Sequence, residues 1–196
     1  GPTFASEVAA GLPSAVSVAS TSENNAYRLA QAISTDTFRA YTAKDMIGVE
    51  VGGATKNVLA IGAGISDGLG FRANTRIAMM TRGLIEMTRL GVALGAQKDT
   101  FIGLSGMGDL VLTCSDDQSR NRRFGLGLAD GATIEDLRKT IGQVVEGYYA
   151  ARAVHKVAKK LGVDMPIVEQ IYKVLYEHLA PEEAVANLLK RPLTIE

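Results

Sequence analysis

The 196-residue chain has no tryptophan, one cysteine, two histidines and five prolines. A lone cysteine, Cys114, excludes an internal disulfide framework and suits a reducing cytoplasm. With only His155 and His178 to join it, no metal site is expected. Charge of one sign is missing as well. The 21 Lys+Arg balance 21 Asp+Glu, without the basic excess of an electrostatic nucleic-acid or membrane-surface binder. No apolar run reaches about 18 residues, so no membrane span is expected. Aromatics make up only 6% while glycine reaches 21 residues, which puts weight on close packing of small side chains. Hydrophobic residues at 46% and charged residues at 21% are the proportions of a packed globule, of a length for one domain or one and part of another.

The chain opens Gly1-Pro2-Thr3-Phe4-Ala5, with neither initiator Met nor signal-peptide hydrophobic stretch. This is how an internal segment of a longer protein or an expression remnant would begin. Two regimes then follow. Ala15–Ala19 is a compact apolar run, Thr21-Ser22 supplies capping chemistry, and Glu23 to about Ile33 places Ala26, Leu29, Ala30 and Ile33 on one helical face. Phe38–Thr42 alternates like a strand, and Ile47-Gly48-Val49 reads as another short one. Strand, helix, strand at this spacing is a βαβ unit of a parallel sheet, and two or three strands suit the end of a larger one. Beyond about residue 50 the periodicity is helical, over 50–65, 73–91, 133–139, 147–161, 166–179 and 182–190. Ile77, Met80, Leu84, Met87 and Gly91 form one apolar stripe, and Gly162 stops the fourth helix. Pro166 and Pro181 sit at helix starts, where Pro is tolerated. The fold class is therefore mainly α: an all-α domain preceded by the last βαβ elements of an α/β doubly wound domain.

Across residues 51–66 Lys56 is the only ionisable side chain, and its helical neighbours Gly52, Gly53, Ala60 and Ala63 are all small. An amine in such a dry setting has its charged form disfavoured, which suits proton transfer to and from a substrate oxygen. It would also suit a lysine that reaches from a helix edge to water. Asn57 stands beside it. Residues 103–114 open with glycines and place Asp109 before an apolar segment, where it could orient an amine such as Lys56, accept from a substrate hydroxyl, or cap a helix. Ser119 has the chemistry of an N-cap and precedes Arg120, Asn121, Arg122 and Arg123. Cations in a first helical turn oppose the macrodipole. A phosphate there would relieve that conflict, as would pairing with Asp116 and Asp117 or a solvated face. Gly62-Ala63-Gly64 and Gly106-Met107-Gly108 lack the spacing and preceding strand of a dinucleotide fingerprint, and no P-loop, G-x-S-x-G or metal motif is present. His155 and His178 read as structural or surface residues on separate amphipathic helices, and the methionines as core.

In order along the chain, GPTFASEVAAGLPSAV, KNVLAIGAGISDGLGF, GLSGMGDLVLTC and SRNRRFG resemble the bacterial NAD(P)-dependent glycerol-3-phosphate dehydrogenases over essentially all 196 residues. The likeness is to the carboxy-terminal portion of that family. Residues 1–49 would be the end of the NAD(P)-binding Rossmann domain and 50–196 the helical substrate-binding and catalytic domain. The resemblance implies hydride transfer between NAD(P)H and dihydroxyacetone phosphate, giving sn-glycerol 3-phosphate for phospholipid synthesis in the cytoplasm. It places the catalytic acid/base on Lys56 and substrate contacts on Gly1, Thr3, Lys56, Asp109, Ser119, Arg120 and Asn121. Asn57 would be a further contact. It places contacts to NAD or NADP on Ala5, Arg120, Val144 and Glu146, and implies no metal. The G-x-G-x-x-G turn and a second lysine ahead of the opening motif are absent from these residues, so the 196-residue chain by itself is expected to bind NAD weakly and not to turn over. The small-residue helix 51–65 fits packing inside its domain or across a homodimer.

Two other classes fit the same residues less fully. A related dehydrogenase of the 6-phosphogluconate or β-hydroxyacid type would also place a lysine on the first helix of its helical domain. A non-catalytic helical dimerisation module would leave Lys56 and the arginine-loaded helix start without a cause.

Overall fold

The computed structural model describes residues 1–192. Its first part alternates in type: a short helix α1 (Ala5–Ala9), strand β1 (Ser14–Ala19), helix α2 (Glu23–Ile33) and strand β2 (Phe38–Ala43). The Ser22 hydroxyl caps α2 by accepting from the Asn25 N–H. The strands pair in parallel with Ser14 opposite Phe38 and Ala19 opposite Ala43, so the βαβ expectation holds. Of the expected apolar stripe on α2, only Ala26 and Ala30 are buried, whereas Leu29 and Ile33 are exposed. Two strands offer too narrow a surface to cover a helix four residues deep.

The remainder is helical, built around α3 (Met46–Gly68). Ile47-Gly48-Val49 lies inside this helix and is not a strand. Asp45 caps it by accepting from the Gly48 N–H at 2.9 Å, and that cap pulls the apolar triplet into the first turn. The same carboxylate accepts from Gln97 N at 2.8 Å and Thr100 Oγ1 at 2.7 Å, and these hydrogen bonds hold it below its ordinary titration range despite burial. The division expected between residues 49 and 50 thus falls within α3. Val58, Leu59, Ala60, Ile61 and Ala63 are fully buried, so this helix packs inside its own chain. Burying each of its larger aliphatic side chains is worth about 1.5–3 kcal/mol.

Against α3 pack α4 (Ala73–Ala93), α5 (Asp109–Ser115), α6 (Arg120–Ala129), α8 (Glu146–Leu161) and α9 (Pro166–Tyr176), while α7 (Ile134–Ile141) packs on α6 and α10 (Pro181–Leu189) on α9. Helices α3 and α6 cross backbone to backbone. A methyl on Gly64 would overlap the Arg122 carbonyl oxygen, and one on Gly125 would overlap that of Ile61. On α4, Met80, Met87 and Gly91 are buried as expected, but Ile77 is 55% exposed and falls off the covered stripe. Gly162 ends α8 with φ of 67°, the left-handed stop its position called for. Helix α9 stops at Tyr176, so His178 lies beyond it in a turn with φ of 57°. His155 stays on α8, stacked on Tyr172 at 3.9 Å, and burial pushes its imidazole pKa down.

The start of α9 is capped from a distance. Glu86 on α4 accepts from Ile167 N at 2.7 Å and Val168 N at 3.1 Å. The side chain is buried, and the loss of hydration outweighs these bonds, raising its pKa to about 7. Among the described residues no helix is long and apolar enough to cross a membrane.

Candidate active site

Lys56 projects from the middle of α3 toward the first turn of α5. Asp109 arrives there by way of a 3-10 turn (Lys98–Ile102) and a single π turn (Leu104–Gly108). The Lys56 Nζ lies 2.7 Å from Asp109 Oδ1, and the backbone nitrogen of Gly1 lies 3.2 Å from Asp109 Oδ2. Lys56 is therefore not the solitary amine its neighbours suggested; a carboxylate absent from its own helix holds it. The Asp109 side chain is 6% exposed and that of Lys56 is 20% exposed, so the lysine is the more accessible member of the pair. Asp109 is the first residue of α5 rather than its cap, which falls on Gly108.

The start of α6 turns out differently for each residue of its triplet. Ser119 is buried and accepts from the Arg122 N–H, so it is the helix cap. Asn121 is buried too, with both ends of its amide engaged. Nδ2 donates to Asn57 Oδ1 at 3.0 Å, and Oδ1 accepts from the Gly147 N–H at 2.9 Å. Asn57 Nδ2 donates in turn to Glu146 Oε2 at 3.2 Å and to the Gly53 carbonyl at 3.1 Å. Arg120 is the member that faces out, with its side chain 37% exposed. Its Nη1 donates to Gln143 Oε1 at 2.9 Å, and Nη2 lies 3.9 Å from Glu146 Oε1. Arg122 turns inward to Asp67 and Asp117, the pairing that competes with an anion clamp.

The opening segment joins the same surroundings. The Ser6 hydroxyl donates to Gln118 Oε1, and Gln118 Nε2 donates to Glu7 Oε1 at 3.2 Å, which ties α1 to the loop ahead of Ser119. Thr3 is half-buried, with its hydroxyl on the Gly1 carbonyl at 3.2 Å. Ala5 and Val144 are exposed. Two linked groups emerge: Lys56, Asp109 and Gly1, and then Asn57, Asn121, Glu146 and Arg120, joined through the adjacent residues Lys56 and Asn57 of α3. Gln118, Gln143 and Asp67 were not singled out from the sequence. The partners of Gln118 and Gln143 are remote in the chain, and only the carboxylate of Asp67 at the end of a small-residue helix was a visible signal. Cys114 is buried among these elements, and burial pushes its thiol up to about 12, far from a nucleophile's range.

A family model described as NAD-dependent glycerol-3-phosphate dehydrogenase C-terminus matches residues 45–186. The chain belongs to this family. Its glycerol-3-phosphate dehydrogenase [NAD(P)+] relatives include proteins from Methylococcus capsulatus, 59% identical over 97% of this chain, and from Aeromonas salmonicida, 58% identical over 97%. The chain spans only 57% and 58% of those two proteins' own lengths. The crystal structure of glycerol-3-phosphate dehydrogenase from Coxiella burnetii superimposes with a TM-score of 0.95 at 49% identity, over 97% of this chain and 59% of that one. The mainly α class is thus the class of this dehydrogenase portion, with both parallel strands included in the match.

Proposed function

We propose that this chain carries the acid/base and substrate-anchoring part of an NAD(P)-dependent enzyme that interconverts dihydroxyacetone phosphate and sn-glycerol 3-phosphate. The observation that carries this reading is the half-open Lys56–Asp109 pair, set one residue from the Asn57 network that leads to Arg120. Lys56 gives its proton to the ketone oxygen as the alcohol forms and takes it back in the reverse direction. Asp109 holds the amine in place through its 2.7 Å contact and balances its charge. Arg120 and the backbone N–H groups at the start of α6 anchor the phosphate, an arrangement that favours an anion there. Asn121 and Ser119 act from behind, fixing the helix start rather than touching substrate.

Ala5, Val144 and Glu146 are exposed and the Arg120 side chain is 37% exposed, which leaves them accessible to a nucleotide. When bound, the reduced nicotinamide supplies the hydride. In this reading residues 1–49 are the end of the nucleotide-binding domain and 50–196 the substrate domain, which accounts for the uncovered Tyr27, Leu29 and Ile33 on α2. The enzyme works in the cytoplasm and supplies glycerol phosphate for phospholipid synthesis; the lone buried Cys114 and balanced charge support that setting.

The test uses the full-length protein in two separate assays: oxidation of NADH or NADPH with dihydroxyacetone phosphate, and reduction of NAD+ or NADP+ with 6-phosphogluconate. Turnover with the first and not the second is expected. Turnover with the sugar acid alone, or with neither, rejects the reading.

A further inference from the structure

Arg120 and Arg122 are two positions apart on α6, so their side chains leave the helix in nearly opposite directions. Arg120 faces outward. The Arg122 guanidinium is driven into the protein, where its Nη2 lies 2.6 Å from Asp67 Oδ2 and its Nη1 pairs with Asp117. The same Asp67 oxygen lies 2.6 Å from Arg76 Nη1. One carboxylate at the end of α3 thus joins α3, α4 and α6, and through Asp117 reaches the loop that runs into Ser119. Only 10% of the Arg122 and Asp67 side chains is exposed.

A buried ion pair is a poor way to add stability, because desolvation offsets most of the Coulomb attraction, and aliphatic packing would serve as well. A cation in the first turn of α6 also opposes the helix dipole. Such a pair is better suited to fixing position. Its geometry makes that fix sensitive: Asp67 Oδ1 and Arg122 Nε are both buried without a partner, so the pairing rests on the single oxygen Oδ2 instead of a two-pronged fork. We infer that Asp67, acting through Arg122, is a positioning residue that sets the pose of the Ser119–Asn121 helix start and thereby the affinity for the phosphate end of the substrate. The inference rests on the dehydrogenase reading above and adds to it a specificity determinant that does not touch the substrate.

The experiment compares dihydroxyacetone phosphate with dihydroxyacetone, which lacks the phosphate, in the full-length enzyme. Asp67→Asn is expected to raise KM for the phosphorylated substrate about tenfold or more while kcat stays within about threefold. Its kcat/KM for dihydroxyacetone should match the wild type. Asp67→Glu, which keeps the charge, should recover part of the lost affinity. Asp117→Asn provides a second variant at a side chain 77% exposed, where folding is not at stake, and should shift KM in the same direction by roughly twofold to threefold. An unchanged KM in both Asn variants, or an equal loss on the two substrates, overturns the inference while wild-type activity leaves the dehydrogenase reading standing. A wild type inactive on dihydroxyacetone phosphate overturns that reading and this inference with it.

Discussion

Helix α3 carries one ion pair at its middle and a second at its C-terminal end, and the two differ in how their charges are shared. At Lys56 the cationic side chain remains 20% exposed and meets one carboxylate at 2.7 Å, which holds the amine in place. At Asp67 the anion is 10% exposed and is shared by two cations, Arg76 at 27% exposed and Arg122 at 10%, each at 2.6 Å, so one oxygen ties together three helices. In the proposed reading the first pair exchanges a proton with the substrate, whereas the second joins α3, α4 and α6 through a single carboxylate oxygen. Glu86 forms a third arrangement, a buried carboxyl that accepts from two backbone N–H groups and, among the described residues, is paired with no cation at contact distance. Charge inside this molecule therefore acquires its role from what remains accessible around it, not from residue type.

Truncating the cation to methionine at each pair separates the two roles. Lys56→Met in the full-length protein should lower turnover by about 10²–10⁴-fold, the usual contribution of a general acid. Its melting temperature should fall less than that of Arg122→Met, because the Lys56 side chain is 20% exposed and that of Arg122 10%, while each carboxylate keeps a second partner. Near-normal turnover in steady-state assays would place the proton donor elsewhere. Arg122→Met should do the converse. Stripping one partner from a buried pair costs about 3–5 kcal/mol, roughly a 10 °C drop in melting temperature for a chain of this size. Its kcat should remain near that of the wild type, and a thermal scan without such a drop would dissolve the contrast.

The smallest effect is expected at Glu86. Its folded pKa, about 7, lies above the ordinary value of 4.5, so the folded state binds the extra proton between those limits. The stability from this group is fully present below about pH 4.5 and is lost as the pH rises through about 7, at most about 3 kcal/mol in all. Glu86→Gln cannot ionise and should flatten the fall in stability over that window. An unchanged slope in denaturant titrations across these pH values would show that the carboxyl is charged throughout.

Helix existence was legible wherever apolar residues recur at three and four positions, as on α4 and α8, and the βαβ start was legible from its alternation. Ile47-Gly48-Val49 misled because three residues fit a strand or a helix equally, and the decision came from Asp45 immediately before them. Helix α5 went unread since glycines dominate its approach and its seven residues make barely two turns. His178 was placed on a helix that ends two residues earlier. In the candidate site, Lys56, Asp109 and the Ser119–Asn121 triplet could be picked out by type and spacing. The inward turn of Asn121 and the partnership of Arg122 with Asp67 could not, because each depends on a residue 55 or more positions away.

Periodicity, capping residues and the small-residue character of α3 are local properties, and they specify the longer helices and their apolar faces, though not the seven-residue α5 or the first turn of α3. Whether Lys56 stands alone or beside a carboxylate, and which arginine faces outward, is set by how α5 and α6 dock on α3. The docking of α6 turns on backbone contact at Gly64 and Gly125, where a single methyl would force the helices apart. Hydrogen bonds and ion pairs act over about 3 Å, so a partner brought from far along the chain is fixed only after the helices have closed on one another.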